Sequence, residues 1–186
     1  PPKKQKPGFV GIPSGPEVCI INNKNEVLKN GNIGEICIKG DNVTTGYENN
    51  PEANKINFFD GWFKTGDEGY FDEEGYLKIS GRLKEIINKG GEKISPLEID
   101  NVLMYHPSVE QVVCFGFKDI MLGEDIAAAI VIEKGKVCSE LDIKQYAKEK
   151  LAKFKIPKKI FFVDEIPKGS TGKLQRIGLA KKFGME

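Results

Sequence analysis

A change of pattern at Ser80-Gly81-Arg82 constrains this chain more than any other feature. Before it, short β-type runs alternate with Gly, Asn, Asp and Pro: Glu17 to Asn22, Gly34 to Lys39, Trp62 to Thr65, Gly69 to Asp72 and Tyr76 to Ser80. Such punctuation predicts a small antiparallel sheet, barrel-like or meandering, with few helices of its own. Asp72-Glu73-Glu74-Gly75 reads as the loop of the hairpin joining the last two runs. After Arg82 the order becomes strand, helix, strand, strand, helix, strand, helix, the alternation of a compact α+β or α/β unit. The expected fold class is α+β, with a β-rich part over 1–82, a small α+β domain over 83–186 and a boundary near Arg82 to Lys84.

Local signals define the second part. Ser95-Pro96-Leu97-Glu98 predicts a capping box, Ser95 accepting from the Glu98 backbone and the Glu98 carboxylate reaching back, with proline at the first helical position. Ile99, Val102 and Leu103 supply the apolar face of that helix. Val112 to Phe117 and Asp125 to Ile132 read as strands, and Ser139 caps a second helix carrying Ile143, Tyr146, Ala147 and Leu151, stopped by Ile156-Pro157. Lys159 to Val163 is a further strand, and a short helix including Leu179 and Phe183 closes the order.

Composition excludes several classes. The chain has 186 residues, 39% apolar and 30% charged, enough for one generous domain or two small ones. Its 28 basic and 27 acidic residues nearly cancel, and the lysines after residue 144 alternate with apolar residues in helical spacing, so no nucleic-acid partner is expected. The longest apolar run, Ile126 to Ile132, is seven residues against the roughly twenty needed to cross a bilayer, and it reads as a buried strand. The opening Pro-Pro-Lys-Lys-Gln-Lys-Pro-Gly has no signal-peptide character and no initial methionine, so the expectation is a start inside a longer protein. Cys19, Cys37, Cys114 and Cys138 form no C-x-x-C pair and are expected to be reduced. His106, the single histidine, precedes proline after a helix and is read as part of its termination rather than as a base.

Four places in the sequence can carry chemistry. In Trp62-Phe63-Lys64-Thr65-Gly66-Asp67 a carboxylate follows glycine after an apolar run; it accepts from two donors at once, which suits the vicinal hydroxyls of a ribose. Taken alone it is an ordinary turn aspartate. Arg82 follows fifteen residues later across a hairpin, where its guanidinium can reach the same sugar or a phosphate; alone it is a surface partner of little energetic weight. Gly90-Gly91 lies in Lys89-Gly90-Gly91-Glu92-Lys93-Ile94-Ser95-Pro96, where two missing Cβ atoms ease a tight turn or clear a path for a narrow chain such as pantetheine. Lys173 ends Pro167-Lys168-Gly169-Ser170-Thr171-Gly172-Lys173, a glycine-flanked loop able to deliver a cation to phosphate from outside, although it lacks the spacing of a phosphate-cradling P-loop.

Occurring together and in order, WFKTGD, GRLKEIINKGGEKISPLEID and PKGSTGK resemble the closing part of the adenylate-forming enzymes: acyl-CoA synthetases, adenylation domains of peptide synthetases and luciferases. The resemblance runs from Lys6-Pro7-Gly8 onward across essentially the whole chain. The GGEKISPLE wording is most similar to acyl-CoA synthetases. Pro1-Pro2-Lys3-Lys4, Asn42-Val43-Thr44, Gly46-Tyr47 and Asn50-Pro51-Glu52-Ala53-Asn54-Lys55 resemble the small-carboxylate, oxalate-CoA ligase-like branch.

This resemblance implies that Asp67 holds the ribose hydroxyls of ATP with help from Arg82, and that Lys84 is the hinge of a mobile small domain. It implies too that Gly90 and Gly91 line the thioester-forming site and that Lys173 reaches the α-phosphate and substrate carboxylate. ATP, CoA and Mg2+ are the implied cofactors, with no metal ligand in this chain. The metal-ligating glutamate, the phosphate loop and the adenine-binding segment are implied upstream of Pro1, in an N-terminal domain of the same protein. Activation of a small-molecule carboxylate is the expected activity, in the cytoplasm; the terminal Phe183-Gly184-Met185-Glu186 is not the peroxisomal S-K-L address used by part of the family. Two rival readings stay open: an amino-acid adenylation domain loading a carrier protein, and a noncatalytic interaction module on the same fold.

Overall fold

The computed structural model describes residues 5–169 and 172–185. The chain divides into two compact units, Pro1–Lys84 and Glu85–Glu186.

In the first unit the elements follow as β1 (Glu17–Ile21), β2 (Gly34–Lys39), α1 (Pro51–Asn57), β3 (Phe58–Phe59), β4 (Trp62–Phe71) and β5 (Leu77–Arg82). All pairings are antiparallel: β1 with β2, β2 with β4, and β4 with both β3 and β5. The two runs expected at Trp62 to Thr65 and Gly69 to Asp72 are one strand, which passes through Gly66 at φ 73°, a conformation that costs glycine nothing. Helix α1 was not anticipated, although Asn50-Pro51 is its start signal: the Asn50 side chain accepts from the Ala53 N–H at 3.1 Å and proline takes the first helical position. Asp72 closes the β4–β5 hairpin, its Oδ1 accepting from the N–H groups of Glu74 and Tyr76 at 3.0 and 2.9 Å. The buried apolar residues here are Ile20, Ile21, Ile36, Cys37 and Tyr76, a thin core.

The second unit contains β6 (Ile87–Lys89), β7 (Glu92–Ile94), α2 (Pro96–Leu103), β8 (Val109–Asp119), β9 (Gly123–Ile132), α3 (Glu140–Lys150), β10 (Lys159–Phe162) and α4 (Leu179–Lys182). Strand β9 is its spine, antiparallel to β8 along its whole length, parallel to β10, and joined to β6 at Lys89 opposite Gly123. Alternate residues of β9 serve two cores. Ile126, Ala128 and Ile130 pack with Ile99 and Leu103 of α2 and with Ile143 and Ala147 of α3; Ala127, Ala129 and Val131 pack with Phe115, Leu179 and Met185. Covering both faces explains the unbroken apolar run, since neither side of the strand meets water. Each large aliphatic side chain buried this way is worth about 1.5–3 kcal/mol.

Two helix ends differ from the sequence reading. Ser139 forms a full capping box with Asp142, but the expected box at Ser95 is not made: the Glu98 N–H goes to the Ser95 carbonyl oxygen at 3.3 Å, and the Glu98 carboxylate is drawn off by Lys155 at 2.7 Å. Helix α3 stops at Lys150 rather than at Ile156-Pro157, because Leu151 turns to extended backbone and both Leu151 and Ile156 are laid against the core. On α2 the buried stripe is Pro96, Ile99, Asp100 and Leu103; Val102 is only half-buried, and a carboxylate stands where an apolar residue is the rule.

Candidate functional site

Asp67 and Arg82 are cross-strand partners on β4 and β5, with Arg82 Nε 2.8 Å from Asp67 Oδ1. Their meeting depends on a bulge. Phe71, Tyr70 and Gly69 face Leu77, Lys78 and Ile79 in regular register, which if continued would set Gly81 opposite Asp67. The register shifts after Gly69, so Glu68 faces Gly81 and Asp67 faces Arg82. Backbone support is close by: Thr65 Oγ1 donates to the Ile36 carbonyl at 2.8 Å and accepts from the Asp67 N–H at 3.1 Å, while the Gly66 N–H donates to Glu35 Oε1 at 3.2 Å. The Asp67 side chain is 23% exposed and that of Arg82 60%, so the carboxylate is held while the guanidinium faces solvent. This is a combination suited to gripping a diol with an adjacent positive charge.

Lys84 is exposed on the 3-10 turn Leu83–Glu85, the last residue of the first unit. In the second unit Gly90 and Gly91 form the two-residue turn between β6 and β7 with φ of 59° and 93°, the left-handed pair that a tight hairpin of this twist requires. The turn is pinned on its β6 side. The Gly90 N–H donates to the Leu122 carbonyl at 2.8 Å, the Asn88 N–H to Glu124 Oε2 at 2.6 Å, and Lys89 Nζ lies 2.5 Å from buried Asp125.

Lys173 is exposed, next to the bridge between Lys168 and Leu174 that closes its loop. The Gly169 N–H donates to the Lys173 carbonyl at 2.8 Å and the Gly172 N–H to the Gly169 carbonyl at 2.9 Å, with Gly172 at φ 78°. Ser170 and Thr171 of this motif lie outside the described residues, as do Pro1 to Lys4 and Glu186.

Three residues after Lys173 stands a group the sequence reading missed. The Arg176 side chain is 13% exposed; its Nε donates to Glu85 Oε2 at 2.7 Å, Nη2 to Asp100 Oδ2 at 2.8 Å, and Nη1 to the Cys114 carbonyl. Asp100 Oδ1 also accepts from the Cys114 N–H at 2.6 Å. Burial pushes the Asp100 carboxyl up from its ordinary range, and the adjacent guanidinium and the Cys114 N–H oppose that shift. The sequence signal was Asp100 itself, a charge inside the apolar stripe of α2 that demands a partner.

The remaining candidates resolve simply. His106 packs edge-on to Tyr146 with centroids 5.0 Å apart, and its Nδ1 accepts from the Ser108 N–H at 3.2 Å, a turn-closing role. All four cysteines are free thiols, and burial pushes Cys37 up to about 12, which keeps it protonated. Among the described residues no three of His, Cys, Asp and Glu converge as a metal site requires. No helix among them is long and apolar enough to cross a membrane.

The class is that of the AMP-binding enzymes' C-terminal domain, whose family model matches residues 98–173. Its relatives are CoA ligases. It is 53% identical over 178 residues to an oxalate–CoA ligase of Arabidopsis thaliana, covering 96% of this chain and 35% of that protein. It is 50% identical over 185 residues to an oxalate–CoA ligase of Saccharomyces cerevisiae, covering 98% and 34%. The crystal structure of ATP-bound MatB from Rhodopseudomonas palustris matches with a TM-score of 0.89 at 35% identity, over 98% of this chain and 37% of that one. The chain thus spans about a third of the length of the curated relatives it matches.

Proposed function

We propose that this chain is the C-terminal portion of an AMP-forming acyl-CoA synthetase for a small carboxylate, the first unit closing the large AMP-binding domain and the second forming the mobile small domain. In the first half-reaction a carboxylate oxygen attacks the α-phosphorus of ATP, giving an acyl-adenylate and pyrophosphate. In the second the CoA thiolate attacks the acyl carbon and AMP leaves. Asp67 and Arg82 grip the ribose. Lys173 brings its ammonium to the α-phosphate and carboxylate, where negative charge gathers in the transition state. Gly90 and Gly91 line the path of pantetheine, and Lys84 is the pivot that presents either surface in turn. Bound Mg2+ would neutralise phosphate charge from ligands outside these residues.

The near end-to-end likeness to CoA ligases carries this reading, and the formed Asp67–Arg82 pair supplies its chemistry. Taken alone, residues 1–186 are expected to be inactive, because the proposal locates the phosphate loop and metal ligands in the large domain. The test is pyrophosphate release and CoA consumption by the full-length protein over a panel of carboxylates that includes oxalate and medium-chain fatty acids. Turnover with a small carboxylate is expected; silence across the panel in both assays would overturn the proposal in favour of a noncatalytic module.

A further inference from the structure

Ile166 and Leu179 are buried anchors, and none of the described residues between them is buried. Of the described residues 172–178, only Arg176 is not exposed. One guanidinium therefore holds this stretch, and it does so on three elements at once: the turn ending at Glu85, helix α2 through Asp100, and strand β8 through Cys114. Burying a guanidinium is costly unless its donors are met, and here two carboxylates and a carbonyl meet them. A planar fork reaches three directions that a lysine's single point of charge does not.

Resting on the function proposed above, we propose that Arg176 is a positioning residue for Lys173, clamping the end of the lysine loop to Glu85 so that the first residue of the second unit and Lys173 move as one piece. The Gly90-Gly91 turn is held by a different set, Lys89 with Asp125, Asn88 with Glu124 and Gly90 with Leu122, and shares no residue with the clamp. Loss of Arg176 therefore loosens one working surface and spares the other. A group that merely stabilises the domain would affect both alike.

The experiment uses the full-length protein, with R176A, R176K and E85Q variants and two readouts. In amide hydrogen exchange, R176A is expected to speed exchange of Gly172 and Gln175, which donate to Gly169 and Pro167, at least tenfold while leaving Gly90 unchanged. In kinetics, R176A is expected to slow pyrophosphate release by about tenfold to a hundredfold, the scale of a small misplacement of a catalytic group. Thioester formation from supplied acyl-adenylate should stay within about twofold of the parent, and R176K and E85Q should lose less, in the same order. Unchanged exchange at Gly172 and Gln175, or an equal fall in both half-reactions, would overturn the clamp. If R176A does not fold, E85Q, which leaves the Asp100 and Cys114 contacts intact, carries both readouts with smaller shifts. If the unaltered protein is silent in both half-reactions, the ligase reading fails, while the exchange data still decide the clamp.

Discussion

Lys173 carries the largest single effect expected at the scale of one side chain. Replacing it by alanine is expected to slow pyrophosphate release about 100- to 1,000-fold, as removal of one transition-state donor does, while thioester formation from acyl-adenylate is largely spared. Equal losses in single-turnover assays of the two halves would contradict its role. Gly69 has a purely steric duty: a Cβ there would lie 2.3 Å from the Lys78 carbonyl oxygen and 2.8 Å from Ile36 Cδ1. Gly69→Ala is therefore expected to cost about 1–3 kcal/mol, read as a lower urea midpoint at unchanged slope. Such residues differ in how visibly they announce themselves. Asp67, Arg82 and the paired glycines stand in short ordered motifs, which is what let a family resemblance single them out. Arg176 has no such setting, being one basic residue among 28, and only the misplaced charge of Asp100 pointed to it.

Elements were legible where one periodicity ruled. Strand β9 and helix α3 follow from unbroken apolarity and from Ser139 ahead of an amphipathic run. The bulge between β4 and β5 was not, because a one-residue slip leaves no trace in composition; nor was the failed cap at Ser95, whose partner Glu98 is claimed by Lys155, distant in sequence. Ser139→Ala is expected to cost about 1 kcal/mol of second-unit stability through the lost N-terminal cap, checked by thermal melting. The β8–β9 turn responds to acid instead. Asp119 is held down at about 2 by Lys158 and by the N–H groups of Leu122 and Met121. Its folded pKa lies below the unfolded value of about 3.9, so this stabilisation is complete above that pH and is lost as pH falls toward the folded value. Asp119→Asn should flatten the decline of Tm between about pH 4 and 2 relative to the parent, and an unaltered decline would remove Asp119 from the account.

For the whole molecule, the boundary at Lys84 matters most. On the proposed function, Lys84→Pro in the full-length protein is expected to reduce overall turnover while leaving the KM values for ATP and carboxylate near those of the parent, because proline restricts φ where the proposed pivot would turn. Unchanged turnover would rule Lys84 out as the pivot. On either side of it the chain is fastened by its own ion pair, Arg82 to Asp67 upstream and Glu85 to Arg176 downstream. Only Leu83 and Lys84 lie between those fastenings, leaving about six soft torsions, from ψ of Arg82 to φ of Glu85, for any swing. Steric exclusion confines each torsion to a few wells, so a pivot of this length would not sway through a continuum but click between a small number of stops, as an indexed latch does.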